Sequence, residues 1–157
     1  MAERLRTQDS WQELTKSECF VLLAKEQLGR VAVVDGRGPI VVPVNFIFDR
    51  YMVVFRTAEG TKLDAACRGS RVAFEIDGID NATRTGWSVL VRGEAVEVTD
   101  PTELARLREL PLEPWAPGSR THYVRILPAT VTGRRISAAG RPGRSAEQPP
   151  SGERDPA

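Results

Sequence analysis

The chain has 157 residues, with 22 lysines and arginines against 21 aspartates and glutamates, one histidine and two cysteines. That length fits one domain around a single hydrophobic core. The formal net charge is only +1, and the chain has no run of five or more basic residues. Proteins that bind duplex nucleic acid or membrane surfaces carry concentrated positive charge, so we expect neither as a partner.

The apolar segments of the chain are short. A membrane-spanning helix needs about 20 consecutive apolar residues, whereas a typical apolar run here covers only residues 30–34. The charged N-terminus is not followed by an apolar stretch that could act as a secretory signal. These features predict a cytoplasmic protein, in which thiols stay reduced.

The counts of reactive side chains exclude several kinds of chemistry. A zinc site takes about four N, S or O ligands, and one histidine with two distant cysteines cannot supply a Cys/His set. His122 would have to carry any catalytic triad alone, and no G-x-S-x-G motif occurs. Cys19 and Cys67 stand among apolar residues and are predicted to be buried and unreactive. We therefore expect no metal site, and an enzyme of this composition should depend on a cofactor.

Residues 1–14 are predicted to form an N-terminal arm that precedes the folded domain. The domain begins with a capping box from Thr15 to Glu18, which predicts a short helix with Gly29 as its stop. Strongly β-branched and aromatic segments separated by turn residues come next. They predict three successive antiparallel strands, at residues 30–34, 40–48 and 51–56.

The second half of the domain continues this alternation. A second short helix is predicted at residues 60–67 and a third from Asp100 to about Leu110. The last predicted strand contains Pro128, which favours an edge position or a break. The strands predicted in this half cover residues 71–77, 87–98 with a bulge at Gly93, and 123–136.

Six strands and three short helices predict a mainly β fold, a closed or nearly closed antiparallel barrel of residues 15–137. A barrel of about six strands is filled by its own side chains, so we expect a ligand outside it, between two subunits. Residues 138–157 are rich in proline, glycine and arginine and, apart from the prolines, have no aliphatic or aromatic residue larger than alanine. They are predicted to be a disordered tail.

The segment from Phe55 to Leu63 carries the first candidate site. Arg56 ends a predicted strand, a loop with two threonines and Gly60 follows, and Lys62 stands near a helix start. Free backbone N–H groups, hydroxyls and two cations suit a phosphate. The alternative is a helix capped by Thr57 with solvated Arg56 and Lys62 beside it, and on spacing alone this commoner structure is favoured.

The segment from Ile40 to Phe48 carries the second candidate site. Pro43 removes one donor from the strand, and Asn45 is the only polar side chain within it. Unpaired backbone groups beside an asparagine could bind the edge of a flat heterocycle. The alternative is a β-bulge with Asn45 in a local turn, which is the more frequent arrangement.

Taken in order, several motifs resemble the pyridoxamine 5′-phosphate oxidase-like, flavin-binding split-barrel superfamily, in particular its actinobacterial-type branch. The resemblance covers about residues 15–137. The motifs are the runs Pro43-Val44-Asn45-Phe46, Phe55-Arg56-Thr57 with Gly60 and Lys62, residues 71–77, 86–93 and 114–118, and Arg125-Ile126 with residues 133–136.

This resemblance implies a homodimer of six-stranded split barrels with a flavin mononucleotide (FMN) in each of two clefts between the subunits. By position, the phosphate would be held by Arg56, Thr57 and Lys62. The isoalloxazine ring would be lined by Val44, Asn45 and Phe46. Trp115 is a less favoured addition, which would cross to the partner's cleft and stack near the ring.

The resemblance further implies a flavin-dependent oxidoreductase that transfers hydride to a small-molecule substrate. Vitamin B6 oxidation is not expected, because the chain lacks the additional C-terminal Arg, His and Tyr positions of true pyridoxamine phosphate oxidases. One alternative is a reductase that uses the deazaflavin coenzyme. The others are a non-catalytic flavin- or haem-binding protein and an interaction module with a vestigial cleft.

Overall fold

The computed structural model describes residues 11–137, without the side chains of Lys62 and Ala66. The predicted tail and the first ten residues of the predicted arm lie outside the described residues. Within this range the chain forms seven strands and three short helices. In chain order they are β1 (Trp11–Leu14), α1 (Lys16–Lys25), β2 (Leu28–Asp35), β3 (Gly38–Asp49), β4 (Met52–Thr57), α2 (Lys62–Cys67), β5 (Ser70–Asp80), β6 (Thr85–Glu97), α3 (Pro101–Arg108) and β7 (His122–Ile136).

The strands close into an antiparallel barrel. Their order is β1-β7-β4-β3-β2-β5-β6, and β6 also pairs with β7, so strands β2 to β7 form a ring of six. This confirms the predicted mainly β barrel with few short helices. The seventh strand, β1, adds to the outer edge of β7. Sequence analysis missed β1 because only Leu14 of its four residues is buried, which leaves no alternating apolar pattern.

The capping box predicted at the start of α1 is confirmed. The Thr15 side chain accepts the Glu18 backbone N–H, and the Glu18 carboxylate accepts the Thr15 N–H at 2.8 Å. The predicted stop is wrong, because α1 ends at Lys25 and Gly29 lies inside β2. Gly29 is needed there for packing, since a Cβ atom at this position would overlap the ring of Phe74.

The last strand follows one of the two predicted alternatives at Pro128. β7 is continuous, so the predicted break is wrong, but around Pro128 the strand is paired on its β6 edge alone, as the predicted edge position requires. Pro128 is accommodated because it pairs with Gly93, where the β6–β7 register shifts, as the predicted bulge at Gly93 requires. On the other edge of β7, pairing with β4 ends at Ile126 and pairing with β1 begins only at Gly133. The missing N–H of proline therefore falls where the ladder is already interrupted.

The barrel interior is filled by its own side chains, as expected. Phe46, Phe55 and Phe74 are among the largest fully buried residues, and the rings of Phe46 and Phe74 lie 4.7 Å apart. Cys19 and Cys67 are also buried in this core, which confirms their predicted burial. A smaller second cluster beneath α3 contains Val54, Val98, Leu107, Leu112 and Tyr123. None of the helices in residues 11–137 is long and apolar enough to cross a bilayer.

Candidate functional site

A cleft of about 180 Å³ opens on the outside of the barrel where β3 extends beyond β4. β3 pairs with β2 along residues 38–45, but its pairing with β4 begins only at Phe46. The edge of residues 42–45 therefore faces the cleft instead of a strand. The opposite wall is formed by residues 56–58 at the end of β4 and by Pro114, Ala116 and Arg120 from the loop before β7. We call this the β3–β4 cleft.

Arg56 lies in the wall of the cleft and is held by the loop before β7. Its Nε donates to the carbonyl oxygen of Arg120 at 2.8 Å, and its Nη1 donates to that of Leu112 at 3.4 Å. Its guanidinium carbon also lies 5.2 Å from the centre of the Tyr123 ring. Within residues 11–137 these contacts fix the guanidinium without a carboxylate partner, so its positive charge remains available to a ligand.

Asn45 connects β3 to two other segments. Its Oδ1 accepts the backbone N–H of Trp115 at 2.8 Å, and its Nδ2 donates to the carbonyl oxygen of Gln27 at 3.3 Å. The predicted alternative of a bulge with Asn45 in a local turn is wrong, because Asn45 stays within regular β3–β2 pairing opposite Leu28. The side chain thus holds the loop that covers one end of the cleft.

The two neighbours of Asn45 point the other way. Val44 and Phe46 are buried in the barrel core, with exposed fractions of 8% and 1%. Side chains alternate along a strand, so only Asn45 of these three directs its side chain to the outer face. Val44 still borders the β3–β4 cleft. Because its side chain packs in the core, we infer that its backbone is the part that faces the cleft.

Thr57 is buried beside the cleft, and its hydroxyl is turned toward Asp64. The Thr57 Oγ1 donates to Asp64 Oδ1 at 3.1 Å, and the Gly60 N–H donates to Asp64 Oδ2 at 3.2 Å. The Asp64 carboxylate therefore binds the loop of residues 57–61 both near its start, at Thr57, and near its end, at Gly60. The hydroxyl and the N–H expected in a phosphate cradle here bind a carboxylate of the chain itself.

Asp64 is the centre of a larger polar cluster. Its carboxylate also receives Arg68 Nη2 at 3.1 Å and lies 3.1 Å from His122 Nδ1. Glu97 lies 3.4 Å from the same histidine nitrogen and 3.8 Å from Arg68 Nε. Burial raises the pKa of Asp64, but the hydrogen bonds from Gly60, His122 and Thr57 and the charge of Arg68 outweigh it. The net pKa of Asp64 is below its ordinary value.

The start of α2 combines features of both sequence interpretations. The cap is Thr61, not Thr57, and its Oγ1 accepts the Asp64 N–H at 3.1 Å while donating to the Ala58 carbonyl at 2.9 Å. Lys62 is the first residue of the helix. The segment is therefore a capped helix start that also borders a cleft.

Trp115 stands in the loop before β7 and is 67% exposed. It borders a second hollow next to the cleft, together with Gln27, Asn45 and Phe46. A molecule that covered the indole ring would remove its apolar area from water, which is favourable. The stacking of Trp115 in a partner's cleft stays a prediction, because it involves a second chain.

Sequence analysis did not identify Arg120 or Asp64 at the site. Arg120 lies 64 positions from Arg56, in a loop with no periodic pattern to place it. Asp64 stands in the first turn of α2, where acidic residues are common, so its type and position do not indicate a site. Its position three residues after Thr61 is the spacing of a capped helix start. This spacing could have indicated that Asp64 lies close to the loop of residues 57–61.

Comparisons with known proteins agree with this fold. A sequence model of the family described as pyridoxamine 5′-phosphate oxidase matches residues 15–135. The chain is 40% identical to the uncharacterized protein Rv0080 of Mycobacterium tuberculosis over 134 residues, which cover 82% of this chain and 88% of that protein.

Two solved structures share the architecture. An FAD binding protein from Mycobacterium smegmatis is 40% identical, with a TM-score of 0.70 over 80% of this chain and 98% of that one. An FAD-binding protein from Mesorhizobium loti is 25% identical, with a TM-score of 0.65 over 81% of this chain and 99% of that one.

Proposed function

We propose, since this chain belongs to the pyridoxamine 5′-phosphate oxidase family, that it binds a flavin in the β3–β4 cleft and acts as a flavin-dependent oxidoreductase. The observation that carries the proposal is the composition of the cleft wall. It combines two arginines, Arg56 and Arg120, with the unpaired edge of β3, and among its described residues it has no aspartate or glutamate. A phosphorylated heterocycle needs both cations and hydrogen-bonding backbone.

The residues of the cleft fit the two parts of such a ligand. The arginines suit a phosphate, and the backbone of residues 43–45 suits the polar edge of a flat ring. Asn45 fixes the loop at the Trp115 N–H and so sets the width of the cleft. A bound flavin would supply the capacity to accept and donate hydride. This chain's own groups bind, orient and shield the ring.

The flavin proposed is FMN, and FAD is the second candidate. The solved relatives from M. smegmatis and M. loti are FAD-binding proteins, and both flavins carry a phosphate on the ribityl chain. The deazaflavin coenzyme also combines a tricyclic ring with a phosphate and is the alternative cosubstrate. Parallel titrations with the three compounds separate these candidates.

A second copy of this chain is the proposed partner. Val34 and Val41 are 71% and 62% exposed on the outer face of the β2–β3 hairpin, where Ala32 and Val41 face each other. Pro43 lies on the same face by alternation and also borders the cleft. The apolar face is thus continuous with the cleft, and a homodimer that covered it would enclose the ligand between two subunits and cover Trp115.

The test is an absorbance spectrum of the purified protein, followed by fluorescence titrations with FMN, FAD and the deazaflavin coenzyme. Arg56→Gln should weaken binding about tenfold or more, since a charge-assisted hydrogen bond contributes ~1.5 to 3 kcal/mol. Arg108→Gln is the matched control, because Arg108 is exposed on α3 and outside the cleft wall. Protein that takes up none of the three compounds would contradict the proposal.

Catalysis needs its own measurement. The oxidoreductase proposal expects bound flavin to be reduced by a nicotinamide donor or by a reduced small-molecule substrate. The colour of the flavin should bleach on addition of the donor. Binding without reduction by any donor would favour the alternative of a non-catalytic flavin carrier.

A further inference from the structure

The donors that the loop of residues 57–61 offers are largely used within the chain. The Thr57 hydroxyl and the Gly60 N–H donate to Asp64, and the Thr61 hydroxyl donates to the Ala58 carbonyl. A hydroxyl has one hydrogen to donate. Neither threonine hydroxyl can therefore donate to a phosphate unless this network breaks, and the cationic side chains among the described residues of the wall become candidates for binding the anion.

Arg120 is the group that meets this need. It borders the β3–β4 cleft together with Arg56, and its Nη1 donates to the carbonyl oxygens of Ala116 at 2.8 Å and Pro117 at 3.2 Å. Among the described residues it makes no ion pair with a carboxylate. Two of its nitrogens, Nε and Nη2, have no hydrogen-bond partner in that part of the chain.

The two arginines are fixed relative to each other through the backbone. Because Arg56 Nε donates to the Arg120 carbonyl at 2.8 Å, the end of β4 and the loop before β7 are joined at this point. Both side chains border the same cleft, and two like charges that face one cleft favour an anion between or beside them. Such a pair, contributed to one cleft wall by two segments of the chain, is suited to a doubly charged phosphate.

We infer that Arg120 is a ligand-binding residue which, together with Arg56, recognises the phosphate on the ribityl chain of the flavin. The inference rests on the proposed function and assigns its phosphate site to the two arginines. Thr57, Gly60 and Asp64 then act only by holding the adjacent loop.

The test compares FMN with riboflavin, which has the same ring and ribityl chain but no phosphate. Arg120→Gln should weaken FMN binding about tenfold or more, while the riboflavin affinity should change less than about twofold. Glutamine keeps the backbone carbonyl that holds Arg56. Arg120→Lys, which keeps the charge, should recover part of the loss, and Arg108→Gln should bind both compounds as the wild-type protein does.

Salt gives an independent readout. Raising the ionic strength should weaken FMN binding to the wild-type protein more than to Arg120→Gln, because the variant has one fewer charge facing the phosphate. Riboflavin binding should show little salt dependence in either protein.

The outcomes separate the inference from the proposed function. FMN binding by Arg120→Gln equal to that of the wild-type protein would overturn the inference alone. An equal loss of FMN and riboflavin would also overturn it, since Arg120 would then act by shaping the loop. Wild-type protein that bound neither compound would contradict the proposed function and the inference together.

Discussion

His122 Nδ1 lies 3.1 Å from Asp64 Oδ1, which connects the first residue of β7 to the interior of α2. The same carboxylate holds Thr57 at the end of β4. Two consecutive elements, β4 and α2, therefore meet the distant strand β7 at one buried anion. The polar cluster beside the cleft depends on this single side chain.

Replacement of Asp64 should destabilise the protein. The side chain is only 4% exposed, and its removal in Asp64→Ala leaves the buried Thr57 hydroxyl and three partly buried donors without this acceptor. We expect a loss of about 2 to 4 kcal/mol in the free energy of unfolding, measured by urea denaturation. Glu59→Ala is the control, because Glu59 is exposed in the same loop, and it should unfold like the wild-type protein. An equal stability of both variants would show that the network contributes nothing.

The same residue should make stability depend on acid pH. The pKa of Asp64 is lower in the folded protein than its ordinary value, so the unfolded chain takes up its proton first. The stabilisation is fully present above the unfolded pKa of about 3.9 and is lost as pH falls through the lower folded pKa. The difference in unfolding free energy between the wild-type protein and Asp64→Asn should therefore shrink below about pH 4. A difference that stayed constant down to pH 3 would contradict this assignment.

The two cysteines should be unreactive in the folded protein. Burial, and to a lesser extent the Asp64 carboxylate, raises the pKa of Cys67 to about 11. Burial also raises the pKa of Cys19. A thiol reagent at pH 8 should label neither residue until denaturant is added. Ser119→Cys places a thiol at an exposed loop position and should react at once as a positive control, and rapid native labelling of the wild-type protein would disprove the prediction.

Gly29→Ala should strain the barrel, since the new methyl group would overlap the ring of Phe74. Overpacking of this kind costs about 1 to 3 kcal/mol, which thermal denaturation should show as a lower Tm. Gly36→Ala is the matched control, because a Cβ atom there has no neighbour within 4 Å. A Tm for Gly29→Ala at or above that of the control would mean that the ring moves aside without cost.

The proposed dimer can be tested on its apolar face. Val41→Glu places a charge among the exposed apolar residues of the β2–β3 hairpin and should weaken self-association, as measured by sedimentation velocity over a range of concentrations. Val21→Glu puts the same charge at an exposed position on α1 and should leave association unchanged. A monomeric wild-type protein would contradict the dimer, and a dimer unaffected by Val41→Glu would place the interface elsewhere.

The barrel could be predicted from the sequence because its strands are marked by local patterns. Turn residues separate the β-branched runs, and Gly93 marks the bulge that the structure shows. The sequence could not decide between an edge position and a break at Pro128, because its neighbours come from distant segments. A proline fits there because β4 stops pairing with β7 at Ile126 and β1 starts only at Gly133, so no strand on that edge needs the missing N–H.

The candidate site was harder to predict for the same reason. Arg56 and Asn45 could be identified from their positions in apolar strands, but their partners come from the loop before β7. A loop has no periodicity that reveals which of its residues face a cleft. The buried acceptor of the Thr57 hydroxyl could not be foreseen either, because only the turn at Gly60 brings Asp64 to it.

The short strand β1 has a consequence for solubility. Trp11 to Leu14 pair with residues 133–136 on the edge of β7 that β6 does not occupy. Without β1 this edge would present unpaired N–H and C=O groups beside the half-exposed Ile136. Such an edge is a template for pairing with a strand of another chain. By pairing with residues 133–136, β1 removes this part of the edge as a site of strand addition.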